Sequence, residues 1–181
     1  MNRLFLAIFP DADAVQQISE RTPGLRSSHR LTGRLRPADH FHITIHWFDD
    51  YVEIPGDVVQ AAGEACESVT ALTPAFEVSF DRVMSFRGSQ GNCPFVMAGN
   101  DQPGTALMKF HAMLSKALLK HRCPGRARSH FKPHLTLLYD RQMVHETPVK
   151  PVAWTAREIV LVHSELGATR YHRLGHWKFR G

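Results

Sequence analysis

Two copies of one short pattern, histidine-apolar-threonine-apolar, stand in this chain as His42-Ile43-Thr44-Ile45 and His134-Leu135-Thr136-Leu137. Each reads as a piece of β-strand. Alternation then puts His42 and Thr44 on one face, with Ile43 and Ile45 on the other, and the second copy divides in the same way. The copies lie 92 residues apart in a chain of 181, so each half supplies one imidazole and one hydroxyl. Histidine, with an ordinary pKa of about 6.5, can give or take a proton near neutrality. Two of them facing one cleft can activate a water and protonate a leaving oxygen, and the threonine hydroxyls can donate to charge growing on non-bridging oxygens. The chemistry indicated is cleavage of a phosphate diester, with His42 and His134 catalytic and Thr44 and Thr136 binding phosphate. It requires no metal or other cofactor.

A bare His-x-Thr triplet would be a weak signal. With 12 His and 10 Thr in the sequence, about 0.7 such triplets arise by chance, and demanding apolar residues at the other two positions lowers this to about 0.1. A third triplet, His145-Glu146-Thr147, lacks the alternation and runs into Pro148, so it reads as a loop. A metal site is an alternative use of the first motif. Strict alternation puts His40, His42 and His46 on one face, at a spacing compatible with zinc, although no Cys or Glu lies alongside.

The elements that must carry these motifs can be read from periodicity. A strand is predicted at Leu4 to Phe9, a helix at Asp11 to Arg21, and a loop from Thr22 to Asp39, which holds Pro23, Gly24, Gly33 and Pro37. The first motif strand spans about Phe41 to Phe48, and a helix follows from Pro55 to Val69. Strands are predicted at Phe76 to Phe80 and Pro94 to Ala98, around a turn at Gly88 to Gly91. Leu107, Phe110, Met113, Leu114, Ala117 and Leu118 recur at helical spacing, giving the longest helix, Gly104 to His121. Then come a basic loop, the second motif strand, and terminal strands at Glu158 to Ser164 and Thr169 to Lys178. Strand-rich halves joined by helices indicate an α+β fold with two mostly antiparallel sheets.

Composition narrows the class. At 43% apolar residues the chain can bury a full core, and no apolar run is long enough to span a membrane. Asp11 and Asp13 follow the short apolar N-terminus where a cleavage site for secretion should lie, so it reads as a first strand. Cys66, Cys93 and Cys123 are odd in number and widely spaced, which fits a reducing cytoplasm. Net charge is +5, and 16 of 22 basic residues are arginine, whose planar fork suits phosphate. Arg26, Arg30, Arg34 and Arg36 precede the first motif, and Arg122, Arg126, Arg128 and Lys132 the second, so the basic potential is expected to flank the cleft.

Paired tetrads of this kind resemble those of the 2H phosphoesterase superfamily, and the chain is similar to its bacterial RNA 2′,3′-cyclic phosphodiesterase branch, also called 2′-5′ RNA ligases. The likeness rests on Arg3-Leu4-Phe5-Leu6-Ala7-Ile8 with Pro10, the first tetrad, Phe131-Lys132-Pro133-His134-Leu135-Thr136-Leu137-Leu138, and Arg170-Tyr171 with Leu174 and Trp177. It departs at His46-Trp47-Phe48-Asp49-Asp50, where small or apolar residues and Leu-Gly are usual. The resemblance implies a single bilobal domain over residues 1–181. Its two pseudo-twofold-related lobes would each be a mostly antiparallel sheet with outer helices, around a central cleft. It implies hydrolysis of RNA or nucleotide 2′,3′-cyclic phosphate to a 2′-phosphate, with His42 as proton donor and His134 as proton acceptor. From the residues alone these two roles are symmetric. Further substrate-binding candidates are Phe131, which either stacks on a nucleobase or packs under its strand, Tyr171, and Arg128. The related pattern places its arginine one position later, at Ser129 here. Expected partners are RNA ends or nucleotides with a cyclic phosphate, with no membrane, and the chain is expected to act as a cytoplasmic monomer. The competing functions are 2′-5′ RNA end-joining and a non-catalytic module that holds a nucleotide or RNA end.

Overall fold

The computed structural model of the protein describes residues 1–88, 91–125, 131–168 and 170–181. Strand β1 (Asn2–Ile8) leads through helix α1 (Ala12–Ser28) and a single 3-10 turn (Ala38–His40) into β2 (Ile43–Tyr51). Helix α2 (Gly56–Thr70), strands β3 (Phe76–Ser85) and β4 (Cys93–Ala98), and helix α3 (Ala106–Lys120) follow. The chain closes with β5 (His134–Asp140), β6 (Thr147–Ala156), β7 (Glu158–Glu165) and β8 (Arg170–Lys178).

The strands form one eight-stranded sheet in the order β6-β3-β4-β5-β2-β1-β7-β8. Every pairing between named strands is antiparallel. The two expected sheets are therefore two halves of one, and the motif strands β5 and β2 meet at the middle through one residue pair, Ile43 with Leu135. On either side of that pair the order repeats. A strand, a helix and a motif strand (β1-α1-β2) face a second such unit (β4-α3-β5), and each unit is completed by two further strands.

One face of the sheet carries the main core. Leu4, Leu6 and Ile8 of β1, Ile43 and Ile45 of β2, and Leu135 and Leu137 of β5 are buried there with Ile18 of α1, Cys66 of α2, and Leu107, Phe110, Leu114 and Leu118 of α3. The apolar positions of both tetrads thus lie under the helices, as alternation requires. The opposite face holds a small cluster of Phe5, Ala7, Val160 and Val162, bordered by Phe9, Trp47 and Tyr171, with no helical residue in it. Among the described residues no helix packs on that cluster. No helix among the described residues is long and apolar enough to cross a membrane, and the three cysteines are free thiols.

Three elements differ from the periodicity reading. Helix α1 runs on through Pro23 to Ser28, where a loop was expected from Thr22, and at 17 residues it, not the 15-residue α3, is the longest helix. The Thr22 hydroxyl bonds back to the Ile18 carbonyl at 2.6 Å, and Leu25 packs on the core, so tertiary contact outweighs the proline's missing N–H. Strand β3 extends to Ser85 rather than ending at Phe80. Strand β6 was not expected at all, its start being read as loop; it contains Pro148 and Pro151 and lies at the sheet's edge, where a strand tolerates residues that cannot donate.

Candidate active site

Each motif is positioned by the sheet's centre. Ile43 pairs with Leu135, so continuing that antiparallel register by one residue sets His42 beside Thr136 and Thr44 beside His134. The two histidines stand on a diagonal of this cross-strand square, where neighbours are roughly 7–8 Å apart, enough to admit a phosphoryl group between them.

The same irregularity then occurs in both halves. On β2, Thr44 pairs with Ala7 and His46 with Leu6, so Ile45 is an extra residue. On β5, Thr136 pairs with Val96 and Leu138 with Phe95, so Leu137 is the extra one. A β-bulge thus falls on the last residue of each tetrad and reverses the alternation beyond it. Its consequence is that Trp47 and Tyr139, each five residues after its histidine, turn onto the cleft face.

Both imidazoles are held in the same way. Nδ1 of His42 donates to the His40 carbonyl at 2.8 Å, and Nδ1 of His134 donates to the Lys132 carbonyl at 2.7 Å. A carbonyl can only accept, so each neutral ring carries its proton on Nδ1 and leaves Nε2 to face the cleft. The Thr44 hydroxyl then donates to His42 Nε2 at 3.2 Å. His42 packs among Phe5, Phe9 and Tyr171, with ring centroids 5.0, 6.0 and 5.5 Å away. Burial, with the nearby charges of Arg36, His134 and His40 acting in the same direction, pushes its pKa down to about 4 against the bond to the His40 carbonyl. In the free protein near neutral pH, His42 is unprotonated. His134 meets the edge of Phe86 at 4.8 Å.

These groups line an open cavity of about 490 Å³, together with Arg3, Phe5, Arg36, His40, Trp47, Tyr139, Glu165 and Tyr171. Arg36 comes from the segment between α1 and the 3-10 turn, which has no periodicity of its own. Leu35 bridges to Leu138 and the Arg36 N–H donates to the Leu137 carbonyl at 2.8 Å, so this segment runs along β5 just beyond the point where β2 leaves it. A turn at Thr32 and Gly33 fixes its start. Both backbone N–H groups donate to Asp140 Oδ2 at 2.7 Å. A Cβ on Gly33 would lie 1.9 Å from the Tyr139 carbonyl oxygen, a separation no side chain permits.

The structure brings His42, His134, Thr44, Thr136 and Tyr171 to one cavity. Arg128 and Arg126 lie outside the described residues. Phe131 does not line the cavity. It packs against the helix-side core and stacks on His111 of α3, with centroids 4.0 Å apart, so of its two expected uses the packing one is what the fold provides. The expected face-sharing of His46 with His42 is overturned by the bulge at Ile45. His46 turns to the other face, where its Nε2 meets the Pro124 carbonyl at 3.2 Å. The alternative His40, His42, His46 triad is therefore not assembled, and among the described residues no group of three His, Cys, Asp or Glu is arranged to hold a metal. Of the first basic group only Arg36 enters the cavity; Arg26 donates to the Leu31 and Thr32 carbonyls, and Arg30 and Arg34 are exposed. Arg36 was legible as part of a basic run. Trp47 and Tyr139 had no usable signal, because a bulge leaves no mark in hydrophobic periodicity.

A family model described as the 2′-5′ RNA ligase superfamily matches residues 9–168. No curated protein matches by sequence. Among solved structures, one described as a phosphoesterase superposes with a TM-score of 0.77 at 25% identity, over 99% of both chains. E. coli LigT complexed with 3′-AMP gives 0.76 at 25% identity, again over 99% of both. A Thermus thermophilus protein gives 0.75 at 20% identity, over 99% of this chain and 98% of its own, and shares the fold.

Proposed function

For a chain that belongs to the 2′-5′ RNA ligase superfamily, a family of 2H phosphoesterases, we propose hydrolysis of RNA or nucleotide 2′,3′-cyclic phosphates to 2′-phosphates by two-histidine acid–base catalysis. The observation that carries this reading is the matched pair of imidazoles. Each has its Nδ1 proton committed to the carbonyl two residues earlier, and each belongs to one side of a single cavity. Binding alone does not call for two such rings. The 3′-AMP held by E. coli LigT, a relative of the same fold, supports a nucleotide as the ligand class.

In the proposed reaction Nε2 of His134 takes a proton from water as its oxygen attacks phosphorus. The bond from phosphorus to the 3′-oxygen breaks, and His42 Nε2–H delivers a proton to that oxygen. The product is a 2′-phosphate and a free 3′-hydroxyl. Thr44 and Thr136 donate to the non-bridging oxygens, where negative charge concentrates in the transition state. His42 must first acquire its proton, since it is neutral in the free protein. The phosphodiester anion supplies the reason, because a negative charge beside an imidazole favours its protonated form. Protonation also frees the Thr44 hydroxyl from His42 Nε2 to turn to phosphate.

The test is turnover of a 2′,3′-cyclic nucleotide by His42→Ala and His134→Ala. Each is expected to lose at least about 10²-fold while staying folded, since each removes one proton transfer. The double variant should be barely worse than either single one, because the two act as a unit. Near-parental turnover in either single variant would defeat the mechanism. Measuring hydrolysis and end-joining on the same cyclic-phosphate RNA separates this reading from ligation.

A further inference from the structure

Building on the reading of the cleft as a phosphoryl site, we infer that Arg36 is a substrate-binding residue whose guanidinium holds the non-bridging oxygens of the phosphate at the His42 end. Four observations converge on it. Arg36 lines the cavity that His42, Thr44, His134 and Thr136 share. Its backbone is fixed to β5 through the Leu137 carbonyl, next to the bulge that ends the second motif. Its Nη2 donates to the Tyr171 hydroxyl at 3.1 Å, and the Tyr171 ring stands edge-on to His42 and stacks on His40 at 4.3 Å. Finally, among the described residues no carboxylate lies within ion-pairing distance of it. The other arginine that lines the cavity, Arg3, is by contrast paired with Asp50.

A half-buried guanidinium oriented by a neutral phenol and left without a counter-ion is ready for an anion, and its planar fork fits two phosphate oxygens at once. The phenol matters as well. A hydroxyl holds the guanidinium in place without neutralising it, whereas a carboxylate would compete with the substrate.

The same placement couples binding to proton transfer. The charged and titratable groups facing His42 are Arg36 and His40 from the segment before β2, His134 from β5 and Tyr171 from β8. All the cations among them oppose protonation of His42 in the free protein. A phosphate that neutralises Arg36 removes the share of that opposition due to Arg36 at the moment the proton is needed. Arg36 thus adds to the burial that keeps His42 unprotonated in the empty site, and gives up its part when the site is occupied.

Sulfate, an anion that does not itself titrate near neutrality, is a suitable probe, and neither readout depends on turnover. In the full chain, sulfate binding and the His42 ring protons are followed together by NMR across pH. Sulfate should raise the pH at which parental His42 titrates. Arg36→Gln should weaken sulfate binding by roughly tenfold to a hundredfold, and without sulfate its His42 should titrate at higher pH than in the parent. Arg36→Lys, which keeps the charge but not the fork, should leave the His42 titration near the parental one and restore part of the affinity. Unchanged sulfate affinity in Arg36→Gln overturns the binding role. Weaker binding with an unmoved His42 titration overturns the coupling. If the protein did not turn over cyclic phosphates, the proposed reaction would fail while these two measurements still decided the role of Arg36.

Discussion

Asp140 touches no expected substrate atom, yet its carboxylate should matter to both stability and the site. Oδ2 accepts the backbone N–H groups of Thr32 and Gly33, each at 2.7 Å, and Oδ1 accepts that of Gln142 at 2.9 Å. These bonds, from Gln142 first and then from Gly33, Thr32 and Arg141, hold its pKa down to about 2. Asp140→Asn keeps the shape but leaves one acceptor oxygen and turns an NH2 group towards a backbone donor. Hydrogen bonds to a charged group contribute about 1.5–3 kcal/mol. Because this carboxylate is partly open to solvent, the lower part of the range applies, about 1.5–2 kcal/mol. For a chain of this size that is a fall in Tm of roughly 3–8 °C. The sign with pH follows from the lowered pKa. The stabilisation is present above the ordinary carboxylate pKa of 3.8 and is lost as pH falls from there to about 2, so parent and variant should converge in acid. The turn at Thr32 and Gly33 leads straight to Arg36, so loosening it should also lower kcat/KM, by about tenfold, since small displacements of a positioning group are costly. Denaturant and thermal unfolding at pH 7 and pH 3, with turnover measured in parallel, check both parts. A variant within about 0.5 kcal/mol of the parent at pH 7, the range of an ordinary surface substitution, would show that the carboxylate does not anchor the segment.

Thr44→Val and Thr136→Val keep β-branching and should fold, but each should lose one to two decades in kcat, the equivalent of about 1.5–3 kcal/mol, with KM moving less. Parental rates in both would make the threonines purely structural. In the free protein His42 should titrate at about 4, below its ordinary 6.5, so a limb of the pH profile of kcat/KM should fall near that value; a limb and an NMR titration at 6.5 would contradict the burial argument. Turnover should be indifferent to EDTA, and loss of activity restored by zinc or manganese would reinstate a metal-assisted mechanism.

Much of this protein is legible in its sequence, because it is encoded locally. Alternation at Ile43, Ile45, Leu135 and Leu137 correctly assigned which face of each motif is buried, since a strand in a half-covered sheet must put its apolar residues under the helices. Helical spacing from Leu107 to Leu118 found α3 to within two residues at its start and one at its end. Strand-rich halves joined by helices indicated the α+β class, and the family resemblance, carried by four short stretches, added the likeness between the halves that periodicity could not. The tertiary structure decided what depends on pairing between distant segments. Bulges at Ile45 and Leu137 exist only because β2 must match β1 and β5 must match β4, and they moved His46 away from His42 and brought in Trp47 and Tyr139. Strand β6 keeps its prolines because it lies at an edge, a property of sheet order and not of sequence. Phe131 found His111, 20 residues earlier on a helix, before it could serve a ligand. Arg36, one of many arginines in a glycine- and proline-rich stretch, became part of the site when that stretch joined β5. A residue's own neighbours specify its strand and its face; which other strand it meets, and in what register, is fixed by the packing of the whole sheet.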